Sequence, residues 1–205
     1  MLLTLSGCAI GLLNGARHAL EPDHLAAVSS LVSGEKDAKA TMRFGALWGA
    51  GHALMLLIAG GALYLLEKEL PERIANLFEL VVAVMLVVLG ARAIRKGVRG
   101  ELEVGHSHRR SRLPFFVGIV HGLAGSGALT AMALSKMPSS LAGLGFIALY
   151  AAGSIVGMAA LAGALGLPLA RLAVNRRAIS WLVCTSGAIS LVFGVIWAWP
   201  IVKNF

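Results

Sequence analysis

Apolar residues run through this chain in long, nearly unbroken stretches, not in the narrow stripes of a helix with one face in water. Six stretches, at about 2–31, 44–66, 74–94, 113–135, 140–166 and 178–200, reach the roughly 20 residues that one helical crossing of a bilayer needs. The pattern predicts an all-α integral membrane protein of about six transmembrane helices, forming one transmembrane domain over residues 1–205. Little chain is left for a separate soluble module. The first stretch has no basic leader and runs past residue 25 without a small-residue cleavage site, so it reads as a retained span and not as a signal peptide.

Composition agrees with this pattern. Hydrophobic residues make up 58% of the chain and charged ones 14%, against roughly 25% charged in soluble domains. The formal charge of +8 would raise nucleic acid as a partner for a soluble protein, but here the basic residues sit between the spans. Lys36, Lys39 and Arg43 follow span 1, a basic loop at 92–112 follows span 3, and Arg171, Arg176 and Arg177 follow span 5. The opposite side has Lys68, Arg73, Lys136 and Lys203. By the positive-inside rule the first set is cytoplasmic and both termini lie outside a bacterial-type cytoplasmic membrane. The expected partner of the 92–112 loop is therefore anionic lipid, with no nucleic acid involved.

The two halves of the chain, about 1–100 and 113–205, resemble each other. V-H-G-L-A-G-S-G-A at 120–128 lies over R-H-A-L-E-P-D-H-L at 17–25, so that His121 answers His18. L-W-G-A-G-H-A-L-M-L-L-I-A-G-G-A-L at 47–63 lies over L-Y-A-A-G-S-I-V-G-M-A-A-L-A-G-A-L at 149–165, with a nearly constant offset. Spans 3 and 6 continue the match more weakly, ending at Gly90 and Gly194. Three spans per half make the repeat an inverted one, a 3+3 layout with binding sites expected at the repeat interface. Gly45-x-x-x-Gly49, Gly118-x-x-x-Gly122 and Gly153-x-x-x-Gly157 are ridges that let helix backbones approach closely.

Inside span 1 lies the polar run from Asn14 to His24, which contains Arg17, His18, Glu21, Asp23 and His24. Three formal charges exposed to lipid would cost roughly 7–10 kcal/mol at about 2.5–3.5 each. A loop outside the membrane does not explain the run, because the segment left before it would be too short to cross. An Arg17–Glu21 pair at i, i+4 is available, but it leaves His18, Asp23 and His24 unaccounted for. On a straight helix Asp23 and His24 would point about 140° and 240° away from His18. Pro22 removes the N–H that would bond the His18 carbonyl, and a break at 20–22 would turn these side chains toward one point.

Two further imidazoles fall within spans, His52 in the second and His121 in the fourth, both beside glycines. Imidazole combined with carboxylate suits nickel, cobalt, zinc or copper, and the absence of Met or Cys in the cluster disfavours copper(I). Cys8 and Cys184 fall in different spans with no C-x-x-C spacing and read as packed thiols. His106 and His108 lie in the basic loop and read as solvated.

At residues 17–25 the chain resembles the nickel/cobalt transporter family, whose signature R-H-A-x-D-A-D-H-I surrounds a core of H-x4-D-H matched by His18, Asp23 and His24. H-G-L-A-G-S-G at 121–127 and L-W-G-A-G-H at 47–52 resemble the short, urease-accessory type of nickel permease. Glu21 and Pro22 replace the signature's Asp and Ala, and longer family members have eight spans. The resemblance implies that His18, Asp23 and His24 bind the transported cation, with His52 and His121 contributing.

The expected function is transport of divalent nickel or cobalt by alternating access, not an enzymatic reaction. Ni2+ or Co2+ is then the substrate and no cofactor is permanently bound. Asp23 would offset the cation's charge and the four imidazoles would replace its water. Ser126 and Ser154, which align with Asp23 and His52, would line the path, with Arg17 and Glu21 beside the site. Three alternatives remain at this level: an exporter with the same site, a membrane thiol–disulfide carrier using Cys8 and Cys184, and an accessory subunit linked to urease or hydrogenase maturation. Ligand imidazoles must be neutral, so uptake should weaken as pH falls below roughly 6, near the free His pKa. Proteoliposome uptake that is indifferent both to pH and to His18→Ala would contradict this scheme.

Overall fold

The structure, a computed structural model, describes residues 2–32, 38–68, 70–101, 112–137, 139–172 and 175–204. Regular structure among the described residues is entirely helical. The elements are α1 (Leu2–His18), α2 (Pro22–Val32), α3 (Ala38–Met55), a π-helical turn (Leu56–Gly60), α4 (Gly61–Leu65), α5 (Glu72–Arg99), α6 (Leu113–Lys136), α7 (Ser140–Leu172) and α8 (Arg176–Lys203).

Among the described residues, five continuous helical stretches are long and apolar enough to cross a bilayer: Lys39–Leu65, Glu72–Arg99, Leu113–Ser135, Ser140–Gly166 and Arg177–Lys203. The first expected span differs. It is two shorter helices of 17 and 11 residues with a turn at 19–21 between them, and neither reaches the roughly 20 residues of a simple crossing. Pro22 explains the division: a ring with no N–H and a fixed φ is unfavourable inside a helix but suits its first position. It opens α2 and leaves Asp23 in the first turn, where the helix dipole favours a carboxylate.

The basic segment expected as a loop from residue 92 begins later. Arg92, Arg95, Lys96 and Arg99 belong to α5, where cations near a helix C-terminus interact favourably with the last carbonyls. Gly100 ends α5 with φ 64°. The Gly100 N–H donates to the Gly97 carbonyl (3.3 Å) and the Glu101 N–H to the Lys96 carbonyl (3.2 Å), the hydrogen-bond pattern of a glycine-terminated helix. His106, His108, Arg109 and Arg110 lie outside the described residues. At the start of α8 the Arg177 and Ala178 N–H groups donate to Asn175 Oδ1 at 3.0 and 3.3 Å, which caps the helix.

On α8 most outward side chains between its two ends are apolar, Ile189, Val192 and Ile196 among them, with Thr185 as a polar exception. Trp181 and Trp199 are 74% and 70% exposed and eighteen residues apart, about 27 Å along a helix. That distance is close to the hydrocarbon thickness of about 30 Å, and Trp favours the two interfaces. An outward apolar surface bracketed by tryptophans, on a chain with five spanning helices, identifies a multi-pass membrane protein.

The chain forms two compact units that alternate along the sequence, one of residues 1–19, 46–78 and 112–158 and the other of 20–45, 79–111 and 159–205. In the first, α3 meets α6 and α1 meets α7 at backbone distance. A Cβ on Gly51 or Gly118 would run into the carbonyl of Phe115 or Trp48, and one on Gly15 or Gly153 into that of Tyr150 or Leu12. Leu56, Tyr64, Leu129, Phe146 and Ile147 form a buried cluster beside these contacts, and the Tyr64 hydroxyl donates to the Ser139 carbonyl at 3.2 Å.

In the second unit α5 packs on α8 through Gly90, Gly187 and Gly194, and α2 packs on α8 as well. The Ser190 hydroxyl donates to the Leu86 carbonyl at 3.0 Å, and Trp197 Nε1 donates to Glu79 Oε2 at 3.3 Å. The latter gives a carboxylate inside a spanning helix an N–H donor, which offsets part of its desolvation.

Because the atom opposing Gly118 is a backbone carbonyl, no side chain can move aside to relieve a substitution. Gly118→Val should cost about 1–3 kcal/mol or more, lowering the melting temperature in detergent by several degrees. Gly61→Ala, with nothing within 4 Å, should leave it unchanged or slightly higher.

Candidate metal centre

Three helices of the first unit bring three imidazoles together. His18 is the last residue of α1, His52 lies one turn before the end of α3, and His121 lies in α6. The His18 and His52 ring centroids are 5.1 Å apart, and those of His52 and His121 are 6.0 Å apart. His52 and His121 are buried and His18 is half-buried. Two imidazoles bound to one cation at about 2.1 Å stand about 5 Å apart, centroid to centroid, at a tetrahedral angle and about 6 Å at wider ones. Each neighbouring pair in this row, His18 with His52 and His52 with His121, therefore has the spacing of two imidazoles that can share a transition-metal ion.

Each outer ring has an aromatic neighbour. Tyr150 lies 5.6 Å from His18 and Trp48 lies 5.7 Å from His121, the latter edge-on. Both aromatics are buried, and each lies one helical turn before a polar residue in its own helix, Trp48 before His52 and Tyr150 before Ser154.

Directly after His52 the helix widens into the π turn, a distortion found mostly at functional sites. The Thr130 hydroxyl reaches its last carbonyl, that of Gly60, at 3.1 Å and also lies 2.8 Å from the Ser126 carbonyl. The buried Ser126 and Ser154 hydroxyls donate within their own helices, to the carbonyls of Leu123 (2.8 Å) and Tyr150 (2.9 Å). Those protons are thus committed to backbone acceptors.

The second unit holds Asp23 and His24, both buried, with His24 Nδ1 3.1 Å from Asp23 Oδ1. A carboxylate on Nδ1 holds the proton there and leaves Nε2 as the lone-pair nitrogen, the tautomer that binds metals through Nε2. Arg17 and Glu21, expected beside the site, have exposed side chains at the end of α1 and in the turn.

Cys184 is a free thiol in the second unit, 3.8 Å from the Ile94 carbonyl, and the side chain of Cys8 lies outside the described residues. A thiol–disulfide carrier finds no support here. The π turn, Thr130 and the two aromatic neighbours escaped sequence reasoning. The aligned L-W-G-A-G and L-Y-A-A-G segments were the available signal for Trp48 and Tyr150.

The fold and this cluster define a helical, multi-pass membrane protein with buried imidazoles contributed by separate helices. Among known proteins, the chain is 32% identical over 209 residues to the urease accessory protein UreH of Bacillus sp. (strain TB-90), an alignment covering 93% of this chain and 90% of the relative. It belongs to the UreH family. It is also 31% and 29% identical to the chloroplast proteins FOR GROWTH AND FERTILITY 2 and 1 of Arabidopsis thaliana, over 75% of this chain in each case. The alignments span about half the length of those two relatives, 45% and 48%. No family model matches the chain, and no solved structure does.

Proposed function

We propose that this protein is a cytoplasmic-membrane importer of divalent nickel, with cobalt as the second substrate, working by alternating access around an intramembrane site. The observation that carries the proposal is the row of half-buried His18 and buried His52 and His121, drawn from three helices, in which each neighbouring pair has the spacing of imidazoles that can share one cation. Imidazoles without thiolate or thioether suit Ni2+ and Co2+ and disfavour copper(I). Nickel supply also accords with the urease-accessory designation of the UreH relative.

In this proposal Asp23 and His24 complete the site. Five residue steps link His18 to Asp23, a tether of about 17 Å at full extension, and Pro22 sets the direction of the chain between them. His24 would bind through Nε2 while Asp23 holds its tautomer and supplies negative charge against the cation. Water would be shed in exchange for imidazole nitrogens, and Ser126 and Ser154 would offer hydroxyl oxygens along the path.

An inverted 3+3 repeat, with α1 and α2 together as the sixth crossing, suits alternating access, and paired contacts in the first unit support the duplication. Gly15 against Tyr150 repeats as Gly118 against Trp48, and Gly153 against Leu12 repeats as Gly51 against Phe115. The aromatic contacts follow the same exchange, Tyr150 on His18 and Trp48 on His121. Every pair keeps the offset of 102 or 103 by which the two halves align.

The test is Ni2+ flux into proteoliposomes containing only this protein. Wild type should accumulate Ni2+, whereas His52→Gln and His121→Gln should lose at least tenfold in rate with little change in melting temperature. A wild-type protein that folds but moves neither Ni2+ nor Co2+ would refute the proposal. Asp23→Asn keeps an oxygen acceptor for His24 but removes the charge, and Ni2+ affinity by calorimetry should fall about 10–100-fold.

A further inference from the structure

Four glycines lie in α6 downstream of Phe116, and two of them, Gly118 and Gly122, have an evident packing role. A Cβ on Gly118 or Gly122 would strike the backbone carbonyl of Trp48 or His52, whereas one on Gly127 would meet only the Leu70 side chain, at 3.4 Å. Gly125 is different. A Cβ there would meet Leu56 Cδ2 at 3.7 Å, His18 Nε2 at 3.9 Å and His52 Cε1 at 3.9 Å, all ordinary contact distances, and its φ lies outside the left-handed range. Neither packing nor backbone geometry calls for glycine at this position, and alanine stabilises a helix interior relative to glycine. Glycine here omits a methyl group that would face two of the three clustered imidazoles.

We propose that Gly125 determines metal specificity by keeping one coordination position open beside His18 and His52. The inference rests on the metal-site reading above. In this proposal a cation bound about 2.1 Å from His18 Nε2 shares the space beside that nitrogen with a methyl group that would stand 3.9 Å from it. A methyl group in that place excludes a water ligand on the metal. Zn2+ is content with four tetrahedral ligands, whereas Ni2+ also favours tetragonal sets, whose axial ligands need further room. Gly125 thereby favours Ni2+ over Zn2+, while the imidazoles supply affinity for both.

The experiment is calorimetric titration of the full-length protein in detergent with NiCl2 and, separately, ZnCl2. Wild type, Gly125→Ala and the control Gly127→Ala are compared, and the melting temperature of each is recorded. Gly125→Ala should melt at or above the wild-type temperature, lose about tenfold or more in Ni2+ affinity, and lose distinctly less for Zn2+. Gly127→Ala should keep the wild-type ratio of the two affinities. If wild type binds neither ion, the metal-site reading falls and this inference falls with it. If wild type binds and Gly125→Ala keeps the wild-type ratio, this inference alone is overturned. A Gly125→Ala protein that melts several degrees lower also overturns it, by showing that the glycine serves packing.

Discussion

The constraint on which the rest of this structure depends is that imidazole and carboxylate groups must be held where hydrocarbon replaces water. Such groups are expensive there unless protein surrounds them and gives each a defined neighbour. In the first unit the answer is mutual: His52 lies within ring contact of both His18 and His121, and these are flanked by Tyr150 and Trp48. In the second it is local, with Asp23 and His24 in direct contact. The outward faces of the spanning helices can then be apolar, as the exposed Ile189, Val192 and Ile196 of α8 are.

Bringing imidazoles from separate helices into contact requires backbones closer than ordinary side chains allow, which is the physical use of the glycine ridges. Where Gly118 and Gly122 face α3, the opposing atoms are the carbonyls of Trp48 and His52 themselves. The same glycines that let the helices touch therefore set the depth and direction of the imidazole one residue away. Lipid gives no hydrophobic drive to helix association, so this close packing and the hydroxyl–carbonyl bonds of Thr130, Ser180 and Ser190 contribute much of the cohesion.

Irregular backbone accompanies the polar residues. The chain turns between His18 and Pro22, and it widens into a π turn after His52. In α6, by contrast, the helix runs without interruption past His121, and the residue aligned with Pro22 is Gly125, which keeps its N–H.

The sequence by itself determined the membrane class, the positions of five spanning helices to within a few residues, and the division of the first segment near Pro22. Each of these follows from local causes: the length of an apolar run, or a ring that lacks an N–H. It also nominated the imidazoles, because an ionisable group inside an apolar run is conspicuous whatever the fold. The end of α5 was misplaced, since cationic side chains read as loop in a hydropathy pattern although they suit a helix terminus. Only the tertiary structure decided which rings touch, that Trp48 and Tyr150 stand beside them, that the helix widens after His52, and that Gly125 faces two imidazoles at ordinary contact distance while Gly118 faces a carbonyl. Those outcomes depend on distances between helices far apart in the chain, and interhelical distance is set by the packing of both partners together.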